Sequence, residues 1–224
     1  MAASLVRGVG GEEFLTSRVK FIKPGATCPV TFQKGWVATG AILAVSLALM
    51  DTHSVTIRRA GPGDEAALAL VGAASFLESY AGIVDGQGII RHCRERHTEA
   101  VYARALADAS QSLWLAEIAP GHAPVGYLHL AAPDLPVPTG PNDIEIKRIY
   151  VLSRLHGTGL GRQLVGTALE HARTAGHTSV VLGVYKGNER ALAFYGRAGF
   201  EALGEREFDV GGNVYCDWVM GRAV

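Results

Sequence analysis

Few arrangements of secondary structure are compatible with the segment from Asp143 to Phe200. Residues 144–151 are predicted to form a β-strand, which is followed by the glycine-rich sequence His156-Gly157-Thr158-Gly159-Leu160-Gly161-Arg162. Apolar side chains then recur at helical spacing, at Leu160, Leu164, Val165, Ala168, Leu169 and Ala172. A second strand at 180–184 and a helix after Asn188 complete the segment, which therefore predicts a strand–helix–strand crossover and one further helix.

The glycine-rich turn is typical of an anion site that is built from the backbone. Gly157, Gly159 and Gly161 stand at alternate positions, and their lack of side chains lets a ligand approach the chain closely. The N–H groups at the start of the following helix point towards such a ligand, and the helix dipole favours negative charge there.

Shorter elements precede and follow this segment. Apolar and polar residues alternate over Val55–Arg59, which predicts a strand, and Asp64 is placed to cap the next helix. Two more helical regions are predicted at 87–96 and 99–108. Hairpins are predicted from 112–118 with 125–130, and from 208–210 with 214–220 through the turn Gly211-Gly212-Asn213. The predicted fold is α/β, with a mixed, mostly antiparallel central sheet flanked by helices on both faces.

Residues 1–50 do not share these patterns, and we interpret them as an N-terminal extension outside the domain at 51–224. The uncharged run from Trp36 to Met50 has 15 residues, whereas a helix needs about 20 to cross a bilayer. Our hypothesis is that the physiological product begins at or near Met50. A membrane or export segment and a packed appendage are the alternatives.

Charge and cysteine usage exclude several classes of protein. Lysine plus arginine and aspartate plus glutamate both number 21, without a long basic run, so nucleic acid is not an expected partner. A membrane is not expected as a partner either, because the uncharged run is too short to cross a bilayer. Cys28, Cys93 and Cys216 are too few and too scattered for a disulfide framework, which favours a reducing, cytoplasmic location. His92, Cys93 and His97 suggest a metal site, but we expect no metal and interpret this segment as a solvated, histidine-rich helix.

Two motifs in the correct order resemble the GNAT superfamily of acetyl-CoA-dependent N-acetyltransferases. The glycine turn is similar to the family's Q/R-x-x-G-x-G/A loop with His156 in the first place, and an overlapping match begins at Arg154. The second signature is Asn188-x-x-Ala191-x-x-Phe194-Tyr195-x-x-x-Gly199-Phe200. The resemblance covers about Val55 to Arg222 and is closest to the PaiA-like branch, which includes spermidine/spermine-type acetyltransferases.

The resemblance implies that acetyl-CoA is the co-substrate and implies which residues bind it. The pyrophosphate would lie on the loop, and the pantetheine arm would pair with the preceding strand and contact Asn188. A dinucleotide site is the weaker alternative, because Val184-Tyr185-Lys186 offers no acidic residue for a ribose. The expected cofactor-binding residues are Ile149, Tyr150, Val151, His156, Gly157, Thr158, Gly159, Leu160, Gly161, Arg162 and Asn188.

Two catalytic residues are expected. Tyr195 would protonate the leaving thiolate as general acid, although it could also be plain core. Glu145, upstream of Ile149 and in phase with it, is the leading candidate for general base, with Glu78 and Tyr80 as alternatives. We expect Trp114, His129 and the helices between 82 and 108 to shape the acceptor pocket.

The sequence thus predicts an enzyme that transfers acetyl directly to a primary amine in a ternary complex. The acceptor is left open among polyamines, amino-acid derivatives, aminated antibiotics and protein amines. A non-catalytic acyl-CoA-binding sensor is the main alternative, and a structural domain with a vestigial site is a third. A homodimer through the final strands or the early helices is a further hypothesis.

Overall fold

The computed structural model describes residues 54–137, 139–210 and 213–224. Predictions for the N-terminal extension, for a start at Met50, for Cys28 and for the Gly211-Gly212 part of the last turn lie outside these residues. No helix within the described ranges is long and apolar enough to cross a membrane.

Seven strands and five helices make up the described part of the chain. The strands are β1 (Val55–Arg59), β2 (Ser112–Ile118), β3 (Ala123–Ala131), β4 (Asp143–Val151), β5 (Ser179–Tyr185), β6 (Glu201–Val210) and β7 (Asn213–Ala223). The helices are α1 (Glu65–Tyr80), α2 (Gly86–Arg96), α3 (Glu99–Ala107), α4 (Leu160–Thr174) and α5 (Glu189–Arg197), with a 3₁₀ turn at Ser153–Leu155.

The strands form one sheet in the order β1-β2-β3-β4-β5-β7-β6. Every neighbouring pair is antiparallel except β4 and β5, which run parallel because α4 connects them. The predicted mostly antiparallel sheet and the crossover are therefore confirmed.

The parallel pair separates before its strands end. β4 and β5 pair from Asp143–Ser179 to Ile146–Leu182, but β4 continues to Val151 and β5 to Tyr185. β5 remains paired with β7 as far as Tyr185. A gap therefore opens between β4 and β5 at the end of the sheet that leads into the glycine-rich turn.

One extra residue interrupts the pairing of β4 with β3. His129 lies opposite Arg148 and Leu130 opposite Ile146, which leaves Lys147 as a bulge. Side chains before and after the bulge therefore follow opposite alternation, since the side-chain period of a strand is two. The prediction that Glu145 is in phase with Ile149 is wrong.

Helices cover both faces of the sheet, as predicted. On one face α4 and α5 pack on a core that contains Leu128, Ile146, Leu164, Leu182 and Tyr195. On the other face α1 and α3 enclose a second core with Leu68, Tyr102, Leu115 and Tyr127. Because Ile149 packs on the first core and Tyr150 on the second, β4 contributes to both.

Asp64 occupies the cap position of α1 but does not cap it with its side chain. Its carboxylate accepts from the backbone N–H of Gly61 at 2.8 Å and pairs with Arg58 at 2.8 Å. The predicted position is confirmed, and the predicted contact is wrong because the turn and the arginine bind the carboxylate instead.

Candidate active site

The glycine-rich turn between β4 and α4 leaves several backbone donors free. Gly157 and Gly159 have φ values of +85° and +92°, which strain any residue with a Cβ atom. The N–H groups without a hydrogen-bond acceptor among the described residues are those of Gly157, Gly159, Leu160, Gly161 and Arg162. Such a group of N–H donors at a helix N-terminus is suited to an anion such as a diphosphate.

A cavity of about 430 Å³ lies beside this turn, in the gap between β4 and β5. It is lined by nearly all of the predicted cofactor-binding residues, namely Ile149, Tyr150, Val151, His156, Gly157, Gly159, Gly161, Arg162 and Asn188. Thr158 and Leu160 do not line it: the Thr158 hydroxyl donates to the Leu155 carbonyl at 2.8 Å, and the Leu160 side chain is buried beside Ala116. We refer to this space as the cofactor cavity.

His156 connects three elements around the cofactor cavity. Its Nε2 lies 2.9 Å from the carbonyl oxygen of Val151, and its Nδ1 lies 2.8 Å from Nη1 of Arg190. The tautomer with hydrogen on Nε2 fits both contacts, because that nitrogen then donates to the carbonyl while Nδ1 accepts from the guanidinium. His156 thereby links the end of β4 to α5, and Arg190 is a cavity residue that the sequence did not point to.

Tyr195 reaches the cofactor cavity from α5. Its ring packs against Phe194 and Phe200 at centroid distances of 5.1 and 5.7 Å, and the residue is 8% exposed. Burial, and to a smaller extent the neighbouring Tyr80, raise the pKa of the Tyr195 hydroxyl well above its usual range. The hydroxyl has no partner among the described residues and stays protonated at neutral pH, so it can donate a hydrogen bond into the cavity.

Asn188 caps the helix that carries Tyr195. Its side-chain oxygen accepts from the backbone N–H of Ala191 at 3.0 Å, as the sequence predicts for a cap. The cap fixes the first turn of α5 and places Asn188 at the edge of the cofactor cavity.

A second cavity, of about 820 Å³, meets the first where β4 and β5 separate. The residues that border both are Tyr80, Lys147, Arg148, Tyr150, Gly183 and Tyr185. Its outer wall comes from α1, α2 and β6 through side chains such as Phe76, His92 and Phe208. Since this space opens on the far side of Tyr150 from the glycine-rich turn, we refer to it as the acceptor cavity.

Glu145 lines the acceptor cavity and is 3% exposed. Its Oε2 accepts from Lys147 Nζ at 2.6 Å and from the backbone N–H of Asp134 at 2.8 Å. The alternative base Glu78 instead binds the N–H and hydroxyl of Ser153, at 2.8 and 3.2 Å, next to the glycine-rich turn. Tyr80 borders both cavities, and burial raises its pKa.

Three histidines of the acceptor cavity are held neutral. Burial, followed by the charge of Arg148, lowers the pKa of His97 and of His129 to about 3, and that of His92 to about 4. His97 is 6% exposed, and His92 stacks on Phe76 at 3.9 Å. The interpretation as a solvated helix holds for Arg91 and for residues 94–96, which are exposed, but not for the histidines, since His92 is half-buried and His97 is buried.

Trp114 does not belong to the acceptor cavity. It lies on the other face of the sheet, in the core with α4, and its ring contacts His171 at 5.1 Å and the Arg59 guanidinium at 4.5 Å. The prediction for Trp114 is wrong, whereas His129 lines the cavity as expected. An ion pair that the sequence did not indicate, Arg206–Asp217 at 3.0 Å, forms part of the same wall.

The family model and the relatives that match this chain all describe N-acetyltransferases. A sequence model of the acetyltransferase (GNAT) family matches residues 84–200. An uncharacterized N-acetyltransferase of Mycobacterium tuberculosis is 37% identical over 98 residues, which are 44% of this chain and 59% of that protein. N-acetyltransferase 8 of Rattus norvegicus is 33% identical over 138 residues, 60% of this chain and 61% of that protein. The chain thus spans less than two thirds of the length of either relative.

Solved structures share the fold at low sequence identity. The PaiA N-acetyltransferase of Thermoplasma acidophilum, in complex with coenzyme A, superposes with a TM-score of 0.61 at 21% identity, covering 76% of this chain and 99% of that one. Spermidine/spermine N-acetyltransferase SpeG of Vibrio cholerae superposes with a TM-score of 0.53 at 19% identity, covering 75% of this chain and 92% of that one.

Proposed function

The chain belongs to the acetyltransferase (GNAT) family, and from that membership we propose that it transfers the acetyl group of acetyl-CoA directly to a primary amine. One observation carries the proposal: free backbone N–H groups, an unpaired strand edge and the protonated hydroxyl of Tyr195 surround one cavity, which joins a second and larger one. Acyl transfer between two substrates needs two such connected spaces.

In this proposal the glycine-rich turn binds the diphosphate of acetyl-CoA. The N–H groups from Gly157 to Arg162 would donate to its oxygens, and the Arg162 guanidinium would add a charge-assisted bond. After Ile146 the edge of β4 that faces β5 has no partner strand among the described residues, which leaves it available to an extended pantetheine arm. Ile149, Tyr150, Val151 and Asn188 would hold that arm, and a β4 N–H would polarise the thioester carbonyl.

The acceptor amine must lose its proton before it attacks. A free alkylamine has a pKa near 10.4, so a base or a water chain has to remove the proton at neutral pH. Glu145 is our proposed base, since its carboxylate faces the acceptor cavity. Tyr195 would donate to the sulfur of CoA as the thiolate leaves.

A sensor that binds acyl-CoA without turnover is the alternative. It would need the glycine-rich turn, but it would need neither a cavity of about 820 Å³ beyond Tyr150 nor a hydroxyl at Tyr195. The cytoplasmic location and the homodimer stay predictions.

Calorimetry and an acceptor screen test the proposal together. Acetyl-CoA should bind the full chain, and at least one of a set of polyamines, amino acids and peptides should release CoA. A Gly159→Val variant, in which a β-branched residue is forced into a left-handed conformation, should lose both binding and turnover. Failure to bind acetyl-CoA would refute the proposal, and binding without CoA release from any acceptor would favour the sensor.

A further inference from the structure

Arg148 carries a positive charge in the acceptor cavity that no described carboxylate neutralises. Its side chain contacts Nδ1 of His129 at 3.3 Å, and within the described ranges it forms no ion pair. A partly buried guanidinium with a neutral partner retains most of its capacity to bind an anion, because it keeps unused N–H donors.

The other charges in the interior of the cavity cancel in pairs. Glu145 is paired with Lys147 at 2.6 Å, and Asp217 with Arg206 at 3.0 Å. The cavity histidines add no positive charge at neutral pH, because the pKa of each is lowered to about 3 or 4. The remaining charged residues of the wall are exposed at its rim, where solvent screens them: Arg91, Glu95, Arg96, Asp134 and Glu207.

The position of Arg148 relates this charge to the place where the acetyl group would be transferred. Arg148 and Tyr150 lie on the same face of β4, two residues apart, which corresponds to about 7 Å along a strand. Tyr150 borders both cavities. A molecule that places an amine beside Tyr150 can therefore place a second group, a few bonds away, on the guanidinium of Arg148.

We propose that the acceptor is an amino acid, whose carboxylate binds Arg148 while its amine faces the cofactor cavity. This inference rests on the proposed function and narrows it to one class of acceptor. The planar guanidinium matches a carboxylate through two parallel hydrogen bonds. A polyamine would instead bring a second cation towards Arg148 and be repelled, while a cavity of about 820 Å³ leaves room for a large side chain.

The first test compares each of the twenty amino acids with the amine that lacks its carboxylate, for example phenylalanine with 2-phenylethylamine, and with spermidine. At least one amino acid should be acetylated with a kcat/KM at least about 10-fold above that of its decarboxylated partner, as expected for a charge-assisted hydrogen bond. Acetylation of spermidine or of decarboxylated amines in preference to amino acids would overturn the inference and leave the proposed function intact. Absence of CoA release from every one of these acceptors would overturn the inference, and absence of release from the peptides of the acceptor screen as well would overturn both.

The second test changes the guanidinium. Arg148→Gln should lower kcat/KM for the preferred amino acid about 10- to 100-fold, mainly through KM, and should lower it much less for the decarboxylated amine. Arg148→Lys should restore part of the loss, since it keeps the charge without the planar fork. Arg104→Gln, at an exposed position of α3 outside both cavities, is the matched control and should change neither rate. Equal losses with both acceptors, or weaker binding of acetyl-CoA by Arg148→Gln, would show that Arg148 has another role.

Discussion

Replacing Tyr195 by Phe removes one hydroxyl from the cofactor cavity and preserves the packing of the ring. The contacts with Phe194 and Phe200, at 5.1 and 5.7 Å, do not involve the hydroxyl. Because that hydroxyl has no partner among the described residues, its removal should change the free energy of unfolding by less than about 1 kcal/mol. Any larger effect on the rate then belongs to the chemistry.

The expected loss follows from the protonation of Tyr195. Burial holds its pKa well above the usual range, so the hydroxyl is a donor over the whole neutral range. General acid catalysis contributes about 10²- to 10⁴-fold to a rate, and this corresponds to about 3 to 5 kcal/mol of barrier. We expect kcat to fall by at least about 10²-fold, with the dissociation constant of acetyl-CoA unchanged.

Initial rates of CoA release at saturating substrates give kcat, and calorimetry gives the affinity for acetyl-CoA. Tyr215→Phe is the matched control, because the Tyr215 hydroxyl lies 3.4 Å from the Ile83 carbonyl oxygen and lines neither cavity. A kcat of Tyr195→Phe within about three-fold of the parent would refute the reasoning and make Tyr195 a core residue.

Four further changes have defined outcomes. Gly159→Ala should weaken acetyl-CoA binding in calorimetry and lower the free energy of unfolding by about 1 kcal/mol, because Gly159 has a φ of +92°. Gly166→Ala within α4 should instead raise the free energy of unfolding by up to about 1 kcal/mol. Asp85→Ala should lower the free energy of unfolding, measured in urea, by about 1 kcal/mol, because the Asp85 carboxylate accepts from two backbone N–H groups at the start of α2. The stability should also fall as the pH drops from 6.5 towards 3, since His97 and His129 have folded pKa values of about 3 and the unfolded chain binds protons that the folded chain does not. The free energy of unfolding should change by at most about 1.4 kcal/mol per pH unit for each histidine. Urea unfolding of His129→Gln at several pH values should show a smaller pH dependence than that of the parent. An unchanged pH dependence would contradict the lowered pKa of His129.

Local patterns in the sequence predicted the elements around the cofactor cavity because local chemistry determines them. The apolar stripe of α4 and the Asn188 cap each depend on residues within a few positions of one another. For the same reason the glycine-rich turn could be located before any tertiary contact was known.

The acceptor cavity was predicted poorly because distant segments build it. His97 is buried by Phe76 and Tyr102, and Trp114 by α4, and no local pattern contains these contacts. The bulge at Lys147 did leave a signal in the sequence. The apolar positions of β4 change from even numbers at Ile144 and Ile146 to odd numbers at Ile149 and Val151, and two consecutive basic residues stand between them.

The single inserted residue Lys147 gives the two faces of β4 separate roles in the proposed reaction. Beyond it, Arg148 and Tyr150 border the acceptor cavity, while Ile149 and Val151 pack on the core of the opposite face. Substitution at position 148 would therefore change a wall that the two cavities share, whereas substitution at Ile149 would act on the core of the opposite face. Deleting Lys147 would remove the bulge and leave the later side chains on their present faces, because Ile146 and Arg148 would then be neighbours opposite Leu130 and His129.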